Sequence, residues 1–261
     1  MNALNRFIAI GDSLTEGLSD KYPDGSYRGW ADRVADEMAN HSTDFQYANL
    51  AIRGKLLEQV VQDQLQPALS LMQGPQTLVT FHAGANNVLR PKFEPEQVFA
   101  TYRQAVSQIA STGAKLLLFT VREVSNPETK TQHYWNQRFG PFNQNVKQVA
   151  QEFGATVMDA NAREVFGDPR MLATDRLHLS TEGHRRVAAA VLHAVGLPHD
   201  ADWQDPMPPY RPAPAPMRFV GAAVWGVGFL VPWAIRRITG KSSGDGRIAK
   251  HPELISWPHT N

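Results

Sequence analysis

Five short apolar runs alternate along the chain with longer segments whose apolar residues recur at helical spacing. This alternation narrows the fold more than any other feature. The runs at 7–10, 45–51, 77–83, 115–121 and 155–159 are predicted strands, and 29–40, 55–72, 95–112, 137–153 and 181–195 are predicted helices. The last helix opens with Ser180-Thr181-Glu182-Gly183, a suitable cap. Such an order predicts an α/β fold: a three-layer α/β/α sandwich with a central, five-stranded, mostly parallel sheet, followed by a C-terminal extension. A chain of 261 residues holds one such domain, not two. The expected division is a catalytic domain over 1–199, a proline-rich linker or strap over 200–216 and an apolar, basic extension over 217–261.

Chemistry-bearing residues fall at the strand ends. Ser13 directly follows the first apolar run, on a turn marked by Gly11, where a hydroxyl reaches substrate and base together. Far downstream, Asp175 precedes His178 by three residues, close enough for the carboxylate to orient the imidazole through its Nδ1 hydrogen. Gly54 and Asn86 each follow another predicted strand at its carboxyl end, the edge where open α/β sheets gather ligands.

Together these blocks resemble the SGNH or GDSL family of serine hydrolases, over roughly residues 5–196. The resemblance rests on Gly11-Asp12-Ser13-Leu14, Gly54, Gly84-Ala85-Asn86 and Asp175-Arg176-Leu177-His178, in the family's order. It implies a cofactor-independent ester hydrolase acting through an acyl-enzyme. In it Ser13 is the nucleophile, His178 the base and Asp175 its orienting group. The backbone N–H groups of Ser13 and Gly54 and the amide of Asn86 would form the oxyanion hole. One departure stands out: the family pattern Gly-x-Asn-Asp reads Gly84-Ala85-Asn86-Asn87 here, so a neutral amide replaces a charge. The implied substrates are short-chain acyl or acetyl esters of small molecules or sugars. The alternatives are an acyltransferase using the same residues and a non-catalytic binding or tethering protein.

Composition excludes other classes. The chain has no cysteine, hence no disulfide framework, thiol nucleophile or cysteine-rich zinc site. His184 lies six residues from His178, which is not a metal pair on a helix face, and no His-Glu-x-x-His motif occurs. No phosphate-cradling loop or convincing dinucleotide fingerprint is found either, so neither metal nor cofactor is expected. Gly240-Lys241-Ser242-Ser243-Gly244 formally matches another hydrolase elbow but lacks a leading strand. His82, at a strand end before Gly84, is expected to be a hydrogen-bonded structural histidine, with contact to the pocket as the alternative. Of the aromatic residues between 134 and 142, half are expected in the core and half around a pocket.

The net charge of +1 divides into about −3 over 1–216 and +4 over 217–261; the favoured reading of the tail is an ordinary solvated terminus, with an anionic partner or membrane surface as the alternative, and no nucleic-acid partner is expected. Residues 219–235 carry no charge and stand between Arg218 and Arg236-Arg237, with Trp225 and Trp233 inside. Docking of this segment on the body is the favoured reading, with membrane-surface attachment and a true span as alternatives. Ser242–Arg247 resembles a tail of actinobacterial GDSL-like proteins. A first strand within eight residues of Met1 leaves no room for a signal peptide, so a cytoplasmic location, with membrane association as the alternative, is expected.

Overall fold

Each of the five apolar runs forms a strand in the computed structural model of the chain. It describes residues 4–209 and 242–258, together with 214, 217, 223, 225–232 and 235. Residues 210–213, 215 and 216 of the proline-rich stretch, with Arg218, Trp233, Arg236 and Arg237, lie outside the described residues. Strand β1 (Arg6–Gly11) leads through a single turn, α1 (Ser13–Glu16), to α2 (Gly29–Ala39) and β2 (Gln46–Asn49). The next helix is broken: α3 (Leu57–Val60) passes through a π-helical turn, Val61–Leu65, into α4 (Gln66–Leu71). Then follow β3 (Thr77–His82), α5 (Ala85–Val88), α6 (Pro95–Ala110), β4 (Lys115–Phe119), α7 (Lys130–Phe153), β5 (Thr156–Met158) and α8 (Thr181–Val195).

The strand order is β5-β4-β3-β1-β2-β6, where β6 is His251–Ser256. The first five strands are parallel and β6 adds antiparallel to β2, so the sheet has six strands rather than the expected five. Its sequence, with Pro252 and Glu253, carries no apolar run. An edge strand tolerates both, because one of its backbone sides needs no partner. Lys250 anchors this segment: its ammonium pairs with buried Asp32 at 2.7 Å and donates to the Arg28 carbonyl at 2.7 Å.

Alternate residues of β1 serve two cores. Phe7 and Ala9 pack with Trp30, Tyr47 and Val191 under α2 and α8, whereas Ile8 and Ile10 pack with Val79, Phe81 and Val146 under α6 and α7. A strand buried on both faces is apolar throughout, which is why these runs show no alternation. Since β1 leads outward to β2 and the chain then crosses back to β3, the sheet reverses direction between β1 and β3. Crevices at such reversals hold ligands.

Helix α7 begins seven residues before the expected position, at a capping box of Thr129 and Gln132. Among the described residues no helix is long and apolar enough to cross a membrane.

His184 on α8 is fully buried between α2 and the loop after α1. Its Nδ1 accepts from the Trp30 N–H at 3.1 Å and its Nε2 lies 2.9 Å from the Leu18 carbonyl. The Trp30 contact requires Nδ1 without a proton, hence the neutral ring with its hydrogen on Nε2 toward Leu18, and burial pushes its pKa down to about 4, against the Leu18 bond that favours the cation. On β6, burial and the adjacent Lys250 charge likewise push His251 down to about 4. The unfolded chain binds these protons near an ordinary imidazole value of about 6.5. Stability is therefore full above that pH and falls as acid carries the protein through the window down to about 4. A thermal midpoint that declines between pH 6.5 and 4 is expected by circular dichroism; a constant midpoint contradicts it.

Candidate active site

Gly11 ends β1 with its peptide clasped by a side chain. The Gln64 amide accepts from the Gly11 N–H at 3.0 Å and donates to the Gly11 carbonyl at 2.9 Å. Asp12 follows, buried, and caps α1 weakly, with Oδ1 3.4 Å from the Leu14 N–H. Ser13 is the first residue of that turn, half-buried at the rim of the sheet.

The second loop leaves β2 beneath fully buried Asn49, which donates to the Thr15 carbonyl at 3.0 Å and accepts from the Ala51 N–H at 3.1 Å. Glu16 holds the next residue doubly: its carboxylate takes the Arg53 backbone N–H at 2.7 Å and pairs with the Arg53 guanidinium. Gly54 then turns with φ +71°, and a Cβ there would stand 2.3 Å from Ser242 Oγ. The left-handed φ is what calls for glycine at this position, since the Ser242 hydroxyl can rotate away.

From β3 comes the third block. Asn86 Nδ2 donates to Asp12 Oδ2 at 3.0 Å and to the Lys55 carbonyl at 3.1 Å, tying three loops together. Asn87, which stands where the family pattern has a charge, accepts from the Leu57 N–H at 2.8 Å and donates to Glu58 at 2.7 Å. The carboxylate is thus supplied by Glu58, and the neutral amide is the residue type that can sit beside it.

A tight reversal before α8 brings the fourth block. Ala173 N–H donates to the His178 carbonyl at 2.8 Å, and Arg176 takes a left-handed φ of 58° within the turn. Asp175 Oδ2 lies 2.6 Å from His178 Nδ1, while Oδ1 accepts from the backbone N–H groups of Leu177 and His178, each at 2.9 Å. Burial raises the Asp175 carboxyl; the bonds from the His178 ring and these two N–H groups outweigh it and hold the group below its ordinary value. Asp175 is consequently an anion that fixes the imidazole plane through Nδ1.

Ser13, Gly54, Asn86 and His178 all line one cavity of about 790 Å³. Trp135 and Phe139 form part of its wall, whereas Phe142 is core and Tyr134 is exposed. His82 also lines the cavity, the alternative reading of it, and the favoured structural hydrogen bond is not made at Nδ1, which lies 3.6 Å from Asp12 Oδ1, beyond hydrogen-bond reach.

A GDSL-like lipase/acylhydrolase family model matches residues 9–186, a span that includes all four blocks. The chain belongs to that family. It is a carboxylic ester hydrolase of the GDSL type. No curated protein matches it in sequence. Among solved structures it is similar to Axe2, an acetylxylan esterase from Geobacillus stearothermophilus (19% identity, TM-score 0.58, covering 76% of this chain and 97% of that one). It is also similar to the psychrotrophic esterase EstA from Pseudoalteromonas sp. (17%, 0.57, 74% and 97%) and to the hydrolase LAE5 from the metagenome of Lake Arreo (19%, 0.59, 74% and 95%).

Sequence reasoning passed over Gln64, Asn49 and Glu16 in this GDSL-type site. Only Asn49 carries a signal, as a polar residue inside an apolar run; Gln64 and Glu16 stand among other polar residues and carry none. The role of Asn87 beside Glu58 generates a test. In Asn87→Asp two carboxylates meet where a 2.7 Å hydrogen bond stood, so the thermal midpoint is expected to drop at pH 7, by about 1–3 kcal/mol of stability. The deficit relative to wild type should shrink toward pH 5 as the pair shares a proton. Equal midpoints at pH 7 would contradict this reading.

Proposed function

We propose that Ser13 Oγ attacks the ester carbonyl while His178 takes its proton, with Asp175 steadying the imidazolium. The tetrahedral oxyanion is received by the N–H groups of Ser13 and Gly54 and by Asn86 Nδ2. Its collapse expels the alcohol, protonated by His178. Water, activated by the same imidazole, then releases the acid and restores Ser13. The observation that carries this reading is the convergence of four blocks on one cavity, with Asp175 2.6 Å from the His178 ring. Asn86 already holds two acceptors, so the oxyanion shares one of its hydrogens in a three-centre bond.

We further propose short-chain acyl esters, acetyl among them, as substrates. An acetyl group fills little of a cavity of about 790 Å³, so the alcohol portion occupies the rest against Trp135 and Phe139. Similarity to an acetylxylan esterase fits a ring-bearing alcohol but supports it only through the fold.

Steady-state assays on esters crossing acyl length with alcohol size test both parts. Ser13→Ala should lose turnover entirely, and Asn86→Ala should lose about 100- to 1,000-fold in kcat with KM little changed. Enlarging the alcohol should raise kcat/KM more than lengthening the acyl chain. Unchanged turnover in Ser13→Ala overturns the mechanism; dependence on acyl length alone overturns the substrate assignment.

A further inference from the structure

The matched family region ends at residue 186, yet later residues reach two of its loops. Ser242 and Ser243 line the cavity, as does Phe229. The turn they begin is internally braced: Ser242 N–H donates to Asp245 at 2.8 Å, Gly244 N–H to Ser242 Oγ at 3.1 Å and Arg247 Nε to the Ser243 carbonyl at 3.0 Å. Gly244 is buried, and a Cβ on it would lie 2.0 Å from the Arg53 carbonyl oxygen. The turn therefore rests directly on the peptide that joins Arg53 to Gly54. Glu16 braces the opposite side of the same residue.

A second contact lies across the cavity. Trp225 Nε1 donates to the backbone carbonyl of Asp175 at 2.8 Å, and its ring carries the Arg176 guanidinium at 5.0 Å. Arg176 is the residue in left-handed conformation between Asp175 and His178, so the indole fastens the turn at its most strained point. The end of the segment is fixed independently, by Lys250 against Asp32 and by β6 against β2. One stretch of chain thus grips the loop of Gly54 and the loop of Asp175 and His178, while its far end is stitched into the sheet.

We propose that the C-terminal segment is a working part of the active site. Its Ser242–Gly244 turn sets the Gly54 N–H as an oxyanion donor, and Trp225 sets the Asp175–His178 pair. These are positioning residues, acting through groups that touch the substrate. The proposal rests on the roles given above to Gly54, Asp175 and His178. Two signatures follow, because the two contacts steady different parts of the reaction. Displacing the Gly54 N–H weakens the transition state without altering any proton equilibrium. Releasing the Asp175 turn changes how the imidazole is held and thus its titration.

Three variants of the full chain test this: Gly244→Ala, which forces the Arg53 carbonyl away; Ser242→Ala, which removes the hydroxyl bracing the turn and has no added volume; and Trp225→Phe, which keeps a ring but deletes the donor. For Gly244→Ala a fall in kcat of about 10- to 100-fold is expected, with KM within about twofold and the pH profile unmoved. A smaller loss of the same kind is expected for Ser242→Ala, which keeps the test alive if Gly244→Ala does not fold. For Trp225→Phe the pH–rate inflection should move. Wild-type kcat in both turn variants, together with an unmoved inflection in Trp225→Phe, overturns the proposal. Ser13→Ala, assayed alongside, separates the two layers: turnover unchanged from wild type there removes the underlying mechanism, whereas its collapse there with normal tail variants removes only the role of the tail.

Discussion

The peptide of Gly11 is the point on which the site depends. At the crevice end of the central strand regular pairing thins: the Gly11 carbonyl keeps the Ile52 N–H at 3.3 Å as a donor from the loop after β2, and the strand's last backbone groups must still be paired in full. Gln64 solves this by offering an amide with one donor and one acceptor to the Gly11 N–H and carbonyl, at 3.0 and 2.9 Å. Because β1 is held straight to its last residue, Asp12 and Ser13 leave it in a fixed direction. Gln64 itself sits in the π-helical turn between α3 and α4. That irregular turn is where the widened helix presents a polar side chain toward the sheet.

Around this point the loops are joined by side chains that satisfy backbone groups. Asn49 serves the loop after β2, Asn86 links Asp12 to Lys55, and Asn87 links the start of α3 to α5. Amides suit the task because each can give and accept hydrogen bonds without carrying a charge into a buried place. The carboxylates among these loops are held by a cation or by hydrogen-bond donors. Glu16 is paired with Arg53, Glu58 receives the Asn87 amide, and Asp175 accepts three hydrogen bonds. Loops cross-linked in this way hold one geometry, and a single pre-set geometry is what electrostatic stabilisation of an ester transition state requires.

The layered fold was legible because strands buried on both faces must be apolar, and Phe7–Ile10 has no other use. Placement of Ser13, Gly54, Asn86 and His178 near one another was legible too, since three of them follow strands at one edge of a parallel sheet. Elements set by tertiary contacts were not. In β6, Pro252 and Glu253 disguise an edge strand whose place is decided by Tyr47 and Lys250. The first turns of α7 are polar, and only the Thr129–Gln132 cap marks them. Gly244 has no side chain to advertise that its backbone lies against Arg53. The effect of Asn87 could be judged only once Glu58 stood beside it.

The central claim is spatial: one reacting oxygen must be reachable from three donors that the chain supplies from three separate loops. A crystal structure of the protein after reaction with an alkyl fluorophosphonate tests it most directly. The account predicts phosphorus bonded to Ser13 Oγ, with one phosphoryl oxygen about 3 Å from the N–H groups of Ser13 and Gly54 and from Asn86 Nδ2. An adduct on another residue, or a phosphoryl oxygen directed away from Gly54 and Asn86, would contradict it.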